Sequence, residues 1–278
     1  MEILRYAAFT DRPDGGNPAG VVLDADALTP AQMQAVAADL GYAESAFVSH
    51  RSPGAATVRY FAPEAEIPFC GHATIATGVA LAGREGPGAL VLSTPVGPVD
   101  LSTETVGDRI VASLVTVEPW VGEIGVEVRI ELLRHLRLTE EDLAADLPVM
   151  LSFAGNIHPI VPVRTAAVLR GLDYDYDGLK TLMAAQGWGA TIAVVHRLGP
   201  LVFEARNPFP PGGVREDPAT GSAAASLGAY LRARGEVAPP AMLTVHQGAD
   251  VGRPSLITVG IAPTGGLTVS GGAVPISA

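Results

Sequence analysis

Two short stretches of this chain carry residues that can hold an anion and move a proton. The first reads Glu66-Ile-Pro68-Phe-Cys70-Gly71-His72-Ala-Thr74, and the second Glu216-Asp217-Pro218-Ala-Thr220-Gly221-Ser222-Ala-Ala224. Acid, proline, glycine and the residue after it match position for position. Each stretch leads into a run of small apolar residues that reads as a helix. A helix start offers backbone N–H groups without intrahelical partners and the positive end of the dipole, a ready site for a carboxylate. Gly71 and Gly221 let a ligand approach the backbone, and Ser222 adds a hydroxyl. Two such starts facing each other would form one anion-binding cleft between two similar halves.

Three further groups suit proton chemistry. Glu44 opens the apolar run Glu44-Ser-Ala-Phe-Val48, where partial desolvation raises a carboxyl into the acid/base range. Asp217 lies four residues ahead of Gly221 and can orient a proton carrier or accept from a substrate. Its counterpart in the first stretch is Ile67, so the repeat itself requires no acid there. His72 can relay a proton or donate to a bound anion. Cys70 has Thr220 as its counterpart, so a symmetric pair of thiols is excluded, and Cys70 reads as a small packing residue. Glu66 and Glu216 occupy matching positions and read as structural. The loop from Gln247-Gly248 to Gly252-Arg253-Pro-Ser255 reads as a brace rather than a ligand clamp.

Composition narrows the function classes. The net charge of −11 argues against a nucleic-acid partner. The single cysteine forbids an internal disulfide and thiolate clusters, which suits a reducing cytoplasm. The first residues read as a strand rather than a signal peptide, and no apolar run approaches the roughly 18 residues of a membrane span. His50, His135, His158, His196 and His246 follow no ligand spacing, so no metal site is expected. The absence of dinucleotide, phosphate-loop and nucleophile-elbow motifs argues against a nucleotide cofactor.

The elements that must position these residues follow from periodicity and punctuation. Strands are expected at 2–9, 21–24, 44–49, 56–61, 89–93, 97–102 and 109–116. In the second half they are expected at 158–164, 191–196, 201–206, 242–246, 256–261 and 267–270. Thr29-Pro30 starts a helix that Gly41 ends. Helices are also expected at 125–137, 139–143 and 177–186. The runs 71–82 and 221–231 are apolar on nearly all sides, the mark of a buried helix. Small residues within them let surrounding strands come close. With 32 glycines and 23 prolines, many short strands and tight turns are expected. The boundary between halves is placed at 118/119, with a last strand, about 264–278, that can return to the first half.

Taken together, Asn17-Pro-Ala-Gly-Val-Val22, Ala43-Glu44-Ser-Ala-Phe-Val48, Phe61-Ala-Pro63, Pro68-Phe-Cys-Gly-His-Ala-Thr74, Glu216-Asp-Pro-Ala-Thr-Gly-Ser-Ala223 and Gln247-Gly with Gly252-Arg-Pro-Ser255 resemble the PhzF-like phenazine biosynthesis family, related to diaminopimelate epimerase. The resemblance spans nearly the whole chain. It implies an α+β fold of two pseudo-symmetric domains, each a barrel-like sheet around a central helix, in a homodimer without metal or organic cofactor. It implies Glu44 as acid/base, Asp217 and His72 as assisting groups, and Gly71, Gly221 and Ser222 as holders of a substrate carboxylate. The activity implied is isomerisation of a small, cyclic carboxylic acid by internal proton transfer. The epimerase relatives carry a cysteine before each glycine, and this chain has only Cys70. Two alternatives stay open: a racemase or epimerase using Cys70, and a non-catalytic protein that binds a small acid.

Overall fold

A computed structural model describes residues 1–277. The chain divides into two compact units: Met1–Val115 together with the chain from Ser270 on, and Thr116–Val269. The first unit runs β1 (Leu4–Ala8), β2 (Asn17–Val22), α1 (Pro30–Leu40), β3 (Glu44–Ser52), β4 (Ala55–Phe61), β5 (Glu66–Ile67), α2 (Gly71–Glu85), β6 (Ala89–Thr94), β7 (Gly97–Val106) and β8 (Arg109–Val115). The second runs β9 (Trp120–Glu123), α3 (Val126–Leu136), β10 (Met150–Phe153), β11 (Ile157–Pro162), α4 (Ala166–Arg170), α5 (Tyr176–Gln186), β12 (Ala193–Gly199), β13 (Val202–Arg206), α6 (Gly221–Ala233), β14 (Ala241–Gln247) and β15 (Ser255–Ile261). A last strand, β16 (Thr268–Pro275), carries the chain back into the first unit.

In the first unit the strands pair in the order β1-β2-β3-β4-β6-β7-β8-β16, and β16 pairs β1 to close an eight-stranded barrel. Closure leaves these strands no open edge in the ring. The barrel surrounds α2, which is buried at every position from His72 to Ala82. Its residues are nearly all apolar because each face of the helix meets sheet. In the second unit the order is β15-β14-β13-β12-β11-β10-β9, wrapped on α6, which is buried from Ala223 to Leu231. On the outer side of that sheet, α3 and α5 pack a second core that includes Leu132, Leu136, Leu179 and Met183.

The two sheets are built alike. From β1 to β7 the neighbours pair antiparallel, parallel, antiparallel, parallel and antiparallel, and β10 to β15 repeat that series. Registers then give residue correspondences. Ala19 faces Glu44 across β2 and β3, as Ile160 faces Ala193 across β11 and β12. Glu44 therefore corresponds to Ala193, Pro18 to Pro159, and Asn17 to His158. One strand further, Phe61 pairs Ser45 as Arg206 pairs Val194, in the alignment the repeat implies.

The central helices share one further device. A Cβ on Gly78 would lie 2.8 Å from Leu101 Cδ2 and 3.2 Å from Ala112 Cβ. A Cβ on Gly228 would lie 2.7 Å from Leu267 Cδ2 and 3.3 Å from Val259 Cγ1. Both glycines sit at the same distance from their helix starts, and each lets a strand close on the helix.

Local chemistry explains most boundaries. Thr29 accepts from the Gln32 backbone N–H while the Gln32 side chain accepts from Thr29 N–H, a full capping box, and Gly41 ends α1 in the left-handed region at φ 64°. The segment at 139–143, expected as a helix, is a single 3₁₀ turn at Glu140–Asp142. The Asp142 carboxylate accepts from the Thr139 N–H, and Leu143 leaves the helical region at ψ 153°. The four-residue strands β9 and β10 were not expected from the sequence, being too short to display a period. The short helix α4 was likewise unanticipated.

Candidate functional site

The starts of α2 and α6 differ from that of α1. Cys70 and Thr220 occupy their N-cap positions, and neither side chain caps the helix. The first intrahelical bonds run from Thr74 N to Cys70 O at 3.0 Å and from Ala224 N to Thr220 O at 3.1 Å. Backbone N–H groups of the first turn are thus left for another acceptor. At Gly71 a Cβ would meet nothing within 4 Å, so protein packing does not demand the glycine.

In the first unit, β3 delivers Glu44 as its first residue, and α2 brings His72 to meet it. His72 Nε2 lies 3.3 Å from Glu44 Oε2, and the two side chains are 8% and 18% exposed. Burial pushes the imidazole down to about 4, with a hydrogen bond to the Pro18 backbone offsetting part of the effect. Burial thus disfavours the charged imidazole and favours a hydrogen-bonding contact with Glu44 over a charge pair. Cys70 Sγ lies 3.4 Å from His72 Nδ1. Oxygen, nitrogen and sulfur from Glu44, His72 and Cys70 fall within 4.8 Å of one another. That mixed donor set is of a kind a borderline divalent cation accepts. Histidine spacing could not reveal it, because Glu44 arrives from a different strand.

In the second unit, the Thr220 hydroxyl donates to Asp217 Oδ2 and accepts from Gln247 Nε2 at 3.0 Å. The Gln247 amide also takes Thr220 N–H at 3.1 Å and donates to Asp217 O at 2.7 Å. Ser255 Oγ donates to Pro218 O at 2.6 Å. At Gly248 φ is +79°, and a Cβ there would fall 2.5 Å from Pro218 O and 2.3 Å from Arg253 O. The loop from Gln247 to Ser255 is therefore a brace that holds the stretch carrying Asp217. Glu66 and Glu216 also act structurally. Arg59 reaches Glu66 with two bonds at 2.7 and 2.6 Å, and Arg206 grips Glu216 in the same two-pronged way.

His158 is the residue that sequence spacing passed over. It is fully buried on β11, with Nδ1 2.9 Å from Thr191 O and Nε2 2.9 Å from Ser222 Oγ. Burial pushes its pKa down to about 4, so it too is neutral. The Asn207 amide donates to Thr191 Oγ1 at 2.8 Å and extends the network. The available signal was the repeat of strand order, which sets His158 opposite the start of α6. It becomes visible only once β10, β11 and β12 are paired.

The geometry brings Glu44, His72 and Cys70 together in the first unit, and Asp217 and Thr220 together in the second. Ser222 stands with His158. No helix among the described residues is long and apolar enough to cross a membrane.

Comparison with known proteins accords with this architecture. The family model for phenazine biosynthesis-like proteins matches residues 6–278. An uncharacterized isomerase of Deinococcus radiodurans is 36% identical over 95% of this chain and 88% of its own length. The trans-2,3-dihydro-3-hydroxyanthranilate isomerase of Pseudomonas fluorescens is 33% identical over 90% of this chain and 86% of its own. The crystal structure of a PhzF-family phenazine biosynthesis protein of Bacillus anthracis superposes with a TM-score of 0.87 at 26% identity, covering 100% of this chain and 98% of that one.

Proposed function

This chain belongs to the PhzF-like phenazine biosynthesis family, has its diaminopimelate epimerase-like α+β fold and is an isomerase; from that premise we propose that it moves a proton within a small, cyclic carboxylic acid, with Glu44 as the acid/base. The Glu44 carboxylate takes a proton from a carbon next to an unsaturated or carbonyl-bearing system. The electron pair delocalises through that system. Glu44, now a carboxylic acid, returns the same proton to the far end. Nothing is oxidised or reduced, and the carboxylate is regenerated.

The observation that supports this reading most is Glu44 held 3.3 Å from a buried, neutral His72 at an uncapped helix start. A neutral imidazole can pass or accept a proton without first losing a charge. The N–H groups at Gly71 would hold the substrate carboxylate. In the second unit Asp217 is assigned to assist proton transfer, and Gly221 and Ser222 to hold substrate, because each stands at the family's position. The Pseudomonas fluorescens relative's substrate, a cyclic amino acid with ring unsaturation, is the natural first compound to try.

Solvent-deuterium incorporation into that compound, with wild type and Glu44→Gln, tests the proposal. Retained exchange and turnover in Glu44→Gln, with loss in His72→Asn and Asp217→Asn, would remove Glu44 from the role of base.

The 3.4 Å contact of Cys70 with His72 favours one second reading, a racemase or epimerase whose base is Cys70. It requires deuterium at a stereocentre without migration of a double bond, abolished by Cys70→Ala.

A further inference from the structure

Ser222 sits at the start of α6, where the family pattern would have its hydroxyl donate to a substrate carboxylate. The hydrogen bonds around it run the other way. A backbone carbonyl only accepts, so the 2.9 Å contact with Thr191 O places the proton of His158 on Nδ1, and the Thr191 hydroxyl oxygen, 3.1 Å away and already accepting from Asn207, shares that proton as a second acceptor. His158 is fully buried and neutral, which leaves Nε2 as a bare lone pair. Nε2 lies 2.9 Å from Ser222 Oγ, and a bare ring nitrogen can only accept. The single proton of the Ser222 hydroxyl is therefore already committed.

We propose that His158 is a positioning residue that makes Ser222 an acceptor, so that Ser222 recognises an N–H or O–H donor on the substrate and leaves the carboxylate to backbone N–H groups. The inference rests on the reading of Gly221 and Ser222 as substrate-holding residues, and it deepens that reading. The Ser222 oxygen keeps lone pairs to offer, while the uncapped N–H groups of α6 remain the donors for an anion. A second acceptor belongs to the same network. Asn207 is buried, its amide nitrogen donates to Thr191 Oγ1, and its Oδ1 has no hydrogen-bond partner among the described residues. A substrate that satisfies this unit carries an amino or hydroxyl group beside its carboxylate. A bare carboxylic acid leaves the acceptors unmet, and an unmet buried acceptor weakens binding. The first unit carries no such arrangement, because the strand position matching His158 is Asn17.

Two measurements test this. Nitrogen-15 NMR of the imidazoles, with Ser222→Ala to identify His158, reads the tautomer without any ligand. The expected result is Nδ1 protonated and Nε2 bare across neutral pH, and a proton on Nε2 overturns the proposal. Calorimetry with anthranilate and benzoate, which differ by one amino group, reads recognition. Wild type is expected to favour anthranilate by about 10-fold, the worth of one hydrogen bond. Ser222→Ala is expected to lose that preference while its benzoate affinity changes less than about 2-fold. His158→Phe frees the serine proton and is expected to tighten benzoate. Equal weakening of both probes in Ser222→Ala would mean that the hydroxyl serves the carboxylate, which overturns the proposal. If wild type binds neither probe while the tautomer is as expected, the carboxylate-holding premise falls instead, and this inference with it.

Discussion

At matching registers the two units carry different chemistry on the same frame. The first has Glu44, Asn17 and His72 where the second has Ala193, His158 and Ser222. In the first unit the imidazole rides on the helix and meets a carboxyl from the strand. In the second it sits on the strand and meets a hydroxyl on the helix. Both imidazoles are held neutral by burial, so the frame imposes one electrostatic condition on both sides. A carboxyl stands against the imidazole of His72, and a hydroxyl stands against that of His158. Duplication of a strand order preserves a helix start with unspent N–H groups. It does not preserve the proton carrier, which depends on single side chains.

The comparison breaks most directly at Glu44. Glu44→Gln is expected to lower turnover by about 10²–10⁴-fold, the range for removing a general base. Deuterium exchange into the substrate checks it, and near-wild-type exchange would erase the functional difference between the units.

The two arginine–glutamate clasps separate the units by burial. Arg206 and Glu216 are 11% and 7% exposed, against 30% and 36% for Arg59 and Glu66. Arg206→Met strands a buried carboxylate and is expected to cost about 3–5 kcal/mol, whereas Arg59→Met should cost about 1 kcal/mol or less. Urea denaturation of both variants reads the contrast. Equal losses would show that burial does not distinguish the clasps.

Acid sharpens the likeness. Burial pushes His72 and His158 each down to about 4 in the folded chain, from the ordinary histidine value near 6.5. A depressed histidine pKa means that the unfolded chain takes up protons first as pH falls. The stabilisation is complete above about 6.5 and is lost as pH drops toward 4, up to about 3 kcal/mol for each residue. Stability measured from pH 7 to pH 4 should fall more steeply in wild type than in His158→Phe, where one of the two contributions is gone.

The smallest effect probes the shared helix packing. Gly78→Ala and Gly228→Ala are each expected to cost about 1–3 kcal/mol through overpacking against Leu101 and Leu267. Similar losses in thermal unfolding would support equivalent packing of the two sheets on their central helices. A loss confined to one unit would show that its strands can yield.

Much of the frame was legible because it is written in local chemistry. Thr29, Pro30 and Gly41 mark α1, and the all-apolar runs after Gly71 and Gly221 mark the buried helices. Glu66 and Glu216 read as structural from their matched positions, and each meets an arginine. The strands β9 and β10 were not legible, since four residues hold too little period. Cys70 reads in sequence as a packing residue. It is indeed nearly buried, yet its sulfur also touches His72.

The amino-acid sequence alone determined the twin helix starts, the acids ahead of them, the single thiol and the carboxyl at Glu44 that opens an apolar run. These depend on residue type and short spacing, which linear order preserves. Tertiary structure decided who meets whom. Glu44 and His72 are 28 residues apart, and His158 and Ser222 are 64 apart. Sheet pairing brings each pair within hydrogen-bond reach, and the burial that pairing creates removes the charge from both imidazoles. The direction of a hydrogen bond depends on where the other ring nitrogen finds its acceptor. At His158 that acceptor is Thr191 O, 33 residues along the chain, and no spacing rule carries it.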